Sequence, residues 1–197
     1  MPTILTHGIS AVLIGKMFLK EAKSKRFWFW SMVCAIFPDI DVIGFLFGIK
    51  YGDFWGHRGF THSLLFALLS GLFIASVFYR RYGIGSKRWF FWVFYYFMIM
   101  CSHGFFDMLT DGGLGIAYFA PFSNERFFFP MTPILVAPIG IGGIFSWRGV
   151  QLFLSEFMYV ILPLAILLFV VVIWRKSRVE IETETETETE TEAETKS

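Results

Sequence analysis

Residues Phe157–Trp174 read FMYVILPLAILLFVVVIW. This run carries no charge and is long enough, at about 1.5 Å per helical residue, to cross most of a bilayer core roughly 30 Å thick. It sets the solvent in which the rest of the chain must be read. Working outward, four more apolar segments can be drawn, at about 3–19, 27–48, 60–79 and 89–109. The 197-residue chain is 55% hydrophobic and 20% aromatic, with 26 Phe, which exceeds the apolar share of an ordinary soluble domain. These features predict an all-α fold: an integral membrane helical bundle of about five membrane-embedded segments.

The segments are unequal. The first includes His7 and Lys16, and Lys16 can snorkel to the nearer surface. The second carries Pro38, Asp39 and Asp41 and is expected to be broken there. The third is expected to open on Thr61 as an N-cap ahead of SLLFALLSG. Residues 110–156 are rich in Gly, Pro and aromatics, and read as a long outer excursion rather than a helix.

Two parts follow from charge. Residues 1–179 form the membrane-embedded part, with 16 Lys/Arg against 8 Asp/Glu. Residues 180–197, EIETETETETETEAETKS, hold 8 Glu and one Lys. This repeat has almost nothing apolar to bury and is expected to be a disordered acidic tail, a solubilising spacer. Cys34 and Cys101 sit inside apolar runs with no CxxC neighbour and read as buried free thiols. The N-terminus lacks the basic start and small-x-small site of a cleavable signal peptide.

If all five segments cross, Lys16, Lys20, Lys23, Lys25, Arg26, Arg80, Arg81, Lys87, Arg88, Arg175, Lys176 and Arg178 share one side. Lys50, Arg58, Arg126 and Arg148 fall on the other. The bias of basic residues toward the cytoplasm then places the N-terminus outside and the C-terminus inside. Because membrane topology accounts for the basic side, no nucleic-acid partner is inferred.

Lys and Arg alone fixed that topology, yet it gathers the other polar residues. His7, His57, His62 and His103, all the histidines of the chain, fall at the outer side, with Asp39, Asp41, Asp107, Asp111 and Glu156. Charged side chains in a membrane segment cost about 2.5–3.5 kcal/mol each on insertion scales, so they usually line a polar interior and serve a function. Imidazoles with carboxylates are the ligand set expected for zinc or another first-row metal. Each piece has a plainer reading. His103 and Asp107 could be one helix-face pair, PDID a capped helix break, HRGFTHS (57–63) a capping loop, and Glu156 a helix-dipole partner. Their joint placement favours one site.

The order of His7, PDID, HRGFTHS, HGFFDMLTDGG and APFSNERFFFP resembles the YdjM-like family of membrane-bound, predicted metal-dependent hydrolases, some under LexA control and so tied to the SOS response. The resemblance covers nearly all of residues 1–174. That family is remotely similar to the zinc-dependent phospholipase C and single-strand nuclease superfamily. The resemblance implies metal ligands at His7, Asp39, His57, His62, His103 and Asp107, one or more zinc ions, and functional roles for Arg126, Arg148 and Glu156. Where the family pattern has LDALTTYG this chain has FDMLTDGG, which leaves Asp111 outside the implied set.

The chemistry expected is hydrolysis of a lipid or phosphoester at the outer membrane–water boundary. Asp39, Asp41 or Glu156 would take a proton from water, Asp41 and Glu156 foremost, and Arg58, Arg126 and Arg148 would hold a phosphate. The partner would be a membrane lipid or lipid-linked substrate. The alternatives are a non-enzymatic metal-binding or transport protein of the stress response, and a site that is only structural.

Overall fold

The computed structural model describes residues 1–18, 24–137 and 145–195. Lys20 and Lys23, used in the topology reading, lie outside the described residues, as do Lys196 and Ser197 of the tail.

Six α-helices are described: α1 Ile4–Met17, α2 Lys25–Ile36, α3 Leu64–Phe78, α4 Lys87–Met108, α5 Trp147–Glu156 and α6 Leu162–Thr195. Isolated bridges, Thr110 with Ile134 and Ile116 with Phe127, are the extended pairings among the described residues. Three stretches are long and apolar enough to cross a membrane: Lys25–Phe47, Lys87–Met108 and Trp147–Val179; α1 and α3 are shorter apolar helices. The chain is thus an all-helical membrane bundle with five embedded segments.

Hydroxyl caps start these helices. Thr3, Ser24, Ser86 and Ser146 each accept from a backbone N–H three residues on, which satisfies one of the free amides of a first turn. α3 is capped by Ser63, which accepts from the Phe66 N–H at 3.1 Å, and not by Thr61. Thr61 instead donates to Asp41 at 2.7 Å. Packing of α3 on α4 uses small residues at a spacing of four. Ala67, Gly71 and Ala75 are all buried. A Cβ on Gly71 would stand 2.7 Å from the Val93 carbonyl, so the close approach of these helices requires glycine there.

The second segment breaks at Pro38 as expected. α2 ends at Ile36, and Phe37–Phe47 continue as a tighter 3₁₀ helix. Proline has no N–H to donate and its ring crowds the preceding turn, so the α pattern cannot continue through it. A second irregularity precedes Pro163. Phe157–Ile161 form one π-helical turn between α5 and α6, in which the Leu162 N–H reaches the Phe157 carbonyl.

One expectation is corrected: residues 147–156 are helical, so the excursion after α4 ends at α5. α6 runs on into the Glu/Thr repeat as far as Thr195. Extending a helix already formed in the membrane needs no new nucleus, and the repeat contains no Gly or Pro to stop it.

The aromatic core lies toward the basic end. Trp92, Tyr95, Tyr96 and Phe27 are buried there, with Tyr79 stacked on Trp92 at 4.1 Å. Its hydroxyls pair internally: Tyr79 with Tyr96 at 2.6 Å, and Ser31 with Tyr95 at 2.8 Å. The opposite end is roofed by residues 109–137. Ala117 N–H donates to the Arg58 carbonyl and Leu64 N–H to the Tyr118 carbonyl, both at 3.0 Å, which seats this roof over the helix ends.

Candidate metal centre

Beneath the roof, seven side chains from four segments meet. His7 comes from the second turn of α1, Asp39 and Asp41 from the 3₁₀ stretch, and His57 and His62 from the loop before α3. His103 and Asp107 come from the last turns of α4. All are buried. Asp39, His62, His103 and Asp107 each place one donor atom within 4.8 Å of the others, and Asp41, His57 and His62 form a second such group. The six implied ligands therefore occupy one cavity, with Asp41 beside them.

Asp41 orients the histidines. Its Oδ1 accepts from His57 Nδ1 at 2.7 Å. Its Oδ2 accepts from Thr61 Oγ1 at 2.7 Å and the Arg58 N–H at 3.2 Å, and lies 3.2 Å from His62 Nδ1. On the far side, His103 Nδ1 donates to the Ala35 carbonyl at 2.7 Å. A proton held on Nδ1 by a carboxylate or carbonyl leaves Nε2 as the donor atom for a metal, the arrangement that commonly supports histidine ligands.

The two Nε2 atoms of His62 and His103 face each other at 3.1 Å. Neutral rings in these tautomers would set lone pair against lone pair, so a positive charge belongs there, either a second ring proton or a metal ion. The surroundings could hold a metal ion. Both oxygens of Asp39, both of Asp107 and both ring nitrogens of His7 are buried without a hydrogen bond. Each such orphan costs about 1–3 kcal/mol, and a proton on His103 Nε2 would serve only Asp39 Oδ1, 3.2 Å away, leaving the other atoms unserved. Asp39 Oδ1 lies 3.2 Å from His103 Nε2 and 3.6 Å from His62 Nε2, while Asp107 Oδ1 lies 3.5 Å from His7 Nε2. A cation among these atoms satisfies carboxylates and imidazoles together. The donor set fits a divalent metal such as zinc, and six ligands exceed the four of one tetrahedral site.

Arg58 is the guanidinium of the centre and is fully buried. Its Nε lies 3.0 Å from Asp107 Oδ2, and its terminal nitrogens donate to the Gly112 carbonyl and Thr110 Oγ1, both at 2.8 Å. Its φ is +64°, a left-handed conformation that costs a non-glycine residue about 1–3 kcal/mol. Bonds from its own N–H to Asp41 and from Ala117 to its carbonyl hold it there. Gly113, at φ +91°, faces it, and a Cβ at Gly113 would strike Tyr51 Oη and the guanidinium. Burial outweighs the pull of Arg58 and raises the Tyr51 hydroxyl above its ordinary pKa, so a neutral phenol stands beside the arginine.

The other expected residues are placed differently. Arg126 does not face the cavity. It clamps the carbonyls of His57, Arg58, Gly115, Tyr51 and Asp53 at 3.2–3.4 Å and so fixes the loop that carries two ligands. Arg148 is exposed in the first turn of α5. Asp111 is exposed and accepts from the Val136 N–H at 2.7 Å. Glu156 is fully buried but committed: it accepts from the Thr3 N–H, from Thr3 Oγ1 at 2.8 Å and from Thr6 Oγ1 at 2.7 Å. Both oxygens of Asp41 and of Glu156 are engaged, which counts against the expectation that either takes a proton from water. Sequence reading missed the hydroxyls of Thr3, Thr6, Thr61 and Thr110; a Thr beside a helix start is indistinguishable in sequence from a cap.

Glu156→Gln should lower stability by about 1–3 kcal/mol while metal content stays intact, because the amide turns an N–H₂ donor toward Thr donors that in the native protein meet an acceptor. Thermal unfolding in detergent with elemental analysis checks this. Unchanged stability with lost metal would make Glu156 a ligand.

The model of the YdjM inner membrane protein family matches residues 1–179. The chain is 38% identical over 176 residues to Inner membrane protein YbcI of Escherichia coli (strain K12), which covers 89% of this chain and 99% of that protein. No solved structure matches.

Proposed function

The chain belongs to the YdjM inner membrane protein family, and from that premise we propose that it is a metal-dependent hydrolase of a lipid or phosphoester at the outer membrane–water boundary. The observation that carries this is the cluster of buried Asp39, Asp107 and His7 atoms without hydrogen bonds, beside histidines aimed by Asp41 and the Ala35 carbonyl.

Asp39, His62, His103 and Asp107 would hold the ion, with His7 and His57 placed for further coordination. A bound zinc ion supplies a water acidified toward a pKa of about 7 and a polarised phosphoryl oxygen. The protein does the rest. Asp41 keeps His57 and His62 in one tautomer, and Arg58 balances Asp107. Asp39 has an oxygen outside the short imidazole contacts and is the carboxylate best placed to take a proton from water. In the reaction water adds to the ester phosphorus, the phosphorus–oxygen bond to the leaving group breaks, and the leaving oxygen gains a proton.

A non-enzymatic metal carrier is the second reading. It needs polar groups continuing through the basic half of the bundle. The hydroxyls buried there, Ser31, Tyr79, Tyr95 and Tyr96, are paired with one another, which favours a site over a path.

The test is elemental analysis of the detergent-purified protein, then assay of bis(p-nitrophenyl) phosphate and phospholipids. Hydrolysis abolished by chelator, restored by zinc and lost in His62→Ala supports the proposal. A full complement of metal with no hydrolysis of any ester leaves the carrier reading.

The orientation is part of the same proposal. A reporter fused after Arg178 should read cytoplasmic, and one inserted near Ser123 external. The reverse pattern would put the metal centre at the cytoplasmic face.

A further inference from the structure

A groove of about 570 Å³ runs along the lipid-facing side of α2 and the 3₁₀ stretch, against the start of α1. Ile4, Phe29, Met32, Ile40 and Ile43 form its walls, and each is exposed. Its one polar lining residue is Asp39. Asp39 is about nine-tenths or more buried, has no hydrogen bond on either oxygen, and belongs to the ligand group with His62, His103 and Asp107. An apolar groove open to the bilayer is therefore lined by a residue of the metal centre, whose carboxylate oxygens lie enclosed behind its wall. Its volume lies in the range of small-molecule sites, about 300–1,000 Å³, which typically pair apolar walls with a few convergent polar groups.

A second hollow gives the contrast. It lies between α2 and α3, holds about 360 Å³, and is lined by residues such as Trp30, Phe66, Phe73 and Met100. It faces the same bilayer, yet its lining includes no ionisable acid. Exposed apolar hollows are ordinary on a membrane protein; one lined by a residue of a buried ligand cluster is not.

Resting on the hydrolase reading above, we infer that the substrate is a phosphoester lipid whose acyl chain enters sideways from the membrane through this groove, bringing its headgroup ester to Asp39. Each buried methylene of such a chain contributes about 0.8 kcal/mol relative to water, but a chain leaving lipid for a protein groove gains far less. The groove thus acts by alignment. It fixes the chain direction, and with it the position of the ester, while the roof of residues 109–137 closes the site above.

The experiment uses the full chain in vesicles that contain phosphatidylglycerol with a diazirine near the end of one acyl chain. After photolysis, the expected label lies on peptides bearing Met32, Ile36 and Ile40, in excess over the peptide of α3 that lines the second hollow. Filling the groove with Met32→Trp and Ile40→Trp should reduce that label at least fivefold with metal content unchanged. In parallel, the ratio of long-chain to dibutyryl phosphatidylglycerol hydrolysis should fall at least tenfold. Label spread evenly over all lipid-facing helices, and insensitive to the tryptophans, would overturn the inference and mark the groove as filled by bulk lipid. Focused, tryptophan-sensitive label without chelator-sensitive hydrolysis would instead overturn the hydrolase reading and leave a lipid-binding groove.

Discussion

Asp107→Asn should strip the metal and destabilise the protein together. Asp107 is fully buried, stands 3.0 Å from Arg58 Nε and 3.5 Å from His7 Nε2, and belongs to the group of four donors. Asparagine keeps its shape and removes its charge. Arg58 is then a buried cation without its carboxylate, a change that typically costs about 3–5 kcal/mol. Bound metal should fall at least tenfold by elemental analysis. The two effects are separable. Replacing the pair outright, Arg58→Leu with Asp107→Leu, should recover a good part of the lost stability, since an apolar pair can substitute for a buried ion pair, and should recover none of the metal. If Asp107→Asn keeps both its metal and its thermal midpoint, Asp107 is neither ligand nor counterion.

Chelation should produce the second large effect. The wild-type centre confines Asp39, Asp41 and Asp107 with one guanidinium, so extracting a cation leaves carboxylates uncompensated. A ligand present at 100–1,000 times its dissociation constant adds about 2.7–4.1 kcal/mol to stability. For a chain of this size that corresponds to a thermal midpoint lowered by roughly 5–15 °C in excess chelator. Zinc added back should restore it. His62→Ala should start from the lower midpoint and respond little to either reagent. A wild-type midpoint indifferent to chelator would return His62 and His103 to a shared proton.

What was legible in the sequence follows from the solvent. In a chain read as membrane-embedded, every ionisable residue stands out, so the four histidines with Asp39, Asp41 and Asp107 could be picked out and assigned to one end. Pro38 announced the break that lets Asp39 and Asp41 flank the same imidazole, His62. What remained hidden depends on direction rather than identity. Nothing in APFSNERF says that Arg126 turns toward five backbone carbonyls, or in SWRG that Arg148 faces away. Thr61 and Ser63 are equally good caps by composition; the structure divides their work, one for α3 and one for Asp41. Glu156 looked like a catalytic base because its anchors, Thr3 and Thr6, lie about 150 residues away in sequence.

The broken second segment bears on how such a chain enters the membrane in the first place. Segments are handed to the bilayer from the N-terminus onward as the ribosome makes them. Lys25–Phe47 emerges with two carboxylates, each costing about 2.5–3.5 kcal/mol on insertion scales. The groups that offset them, His57, His62 and His103, have not yet been synthesised at that moment. On its own, this segment has reason to linger at the insertion machinery or at the headgroup layer. It can sink to its final depth only when the loop before α3, and then α4, arrive to meet Asp39 and Asp41. The polar centre is therefore also a timing device in biogenesis: it couples the integration of one helix to the synthesis of another some 60 residues later.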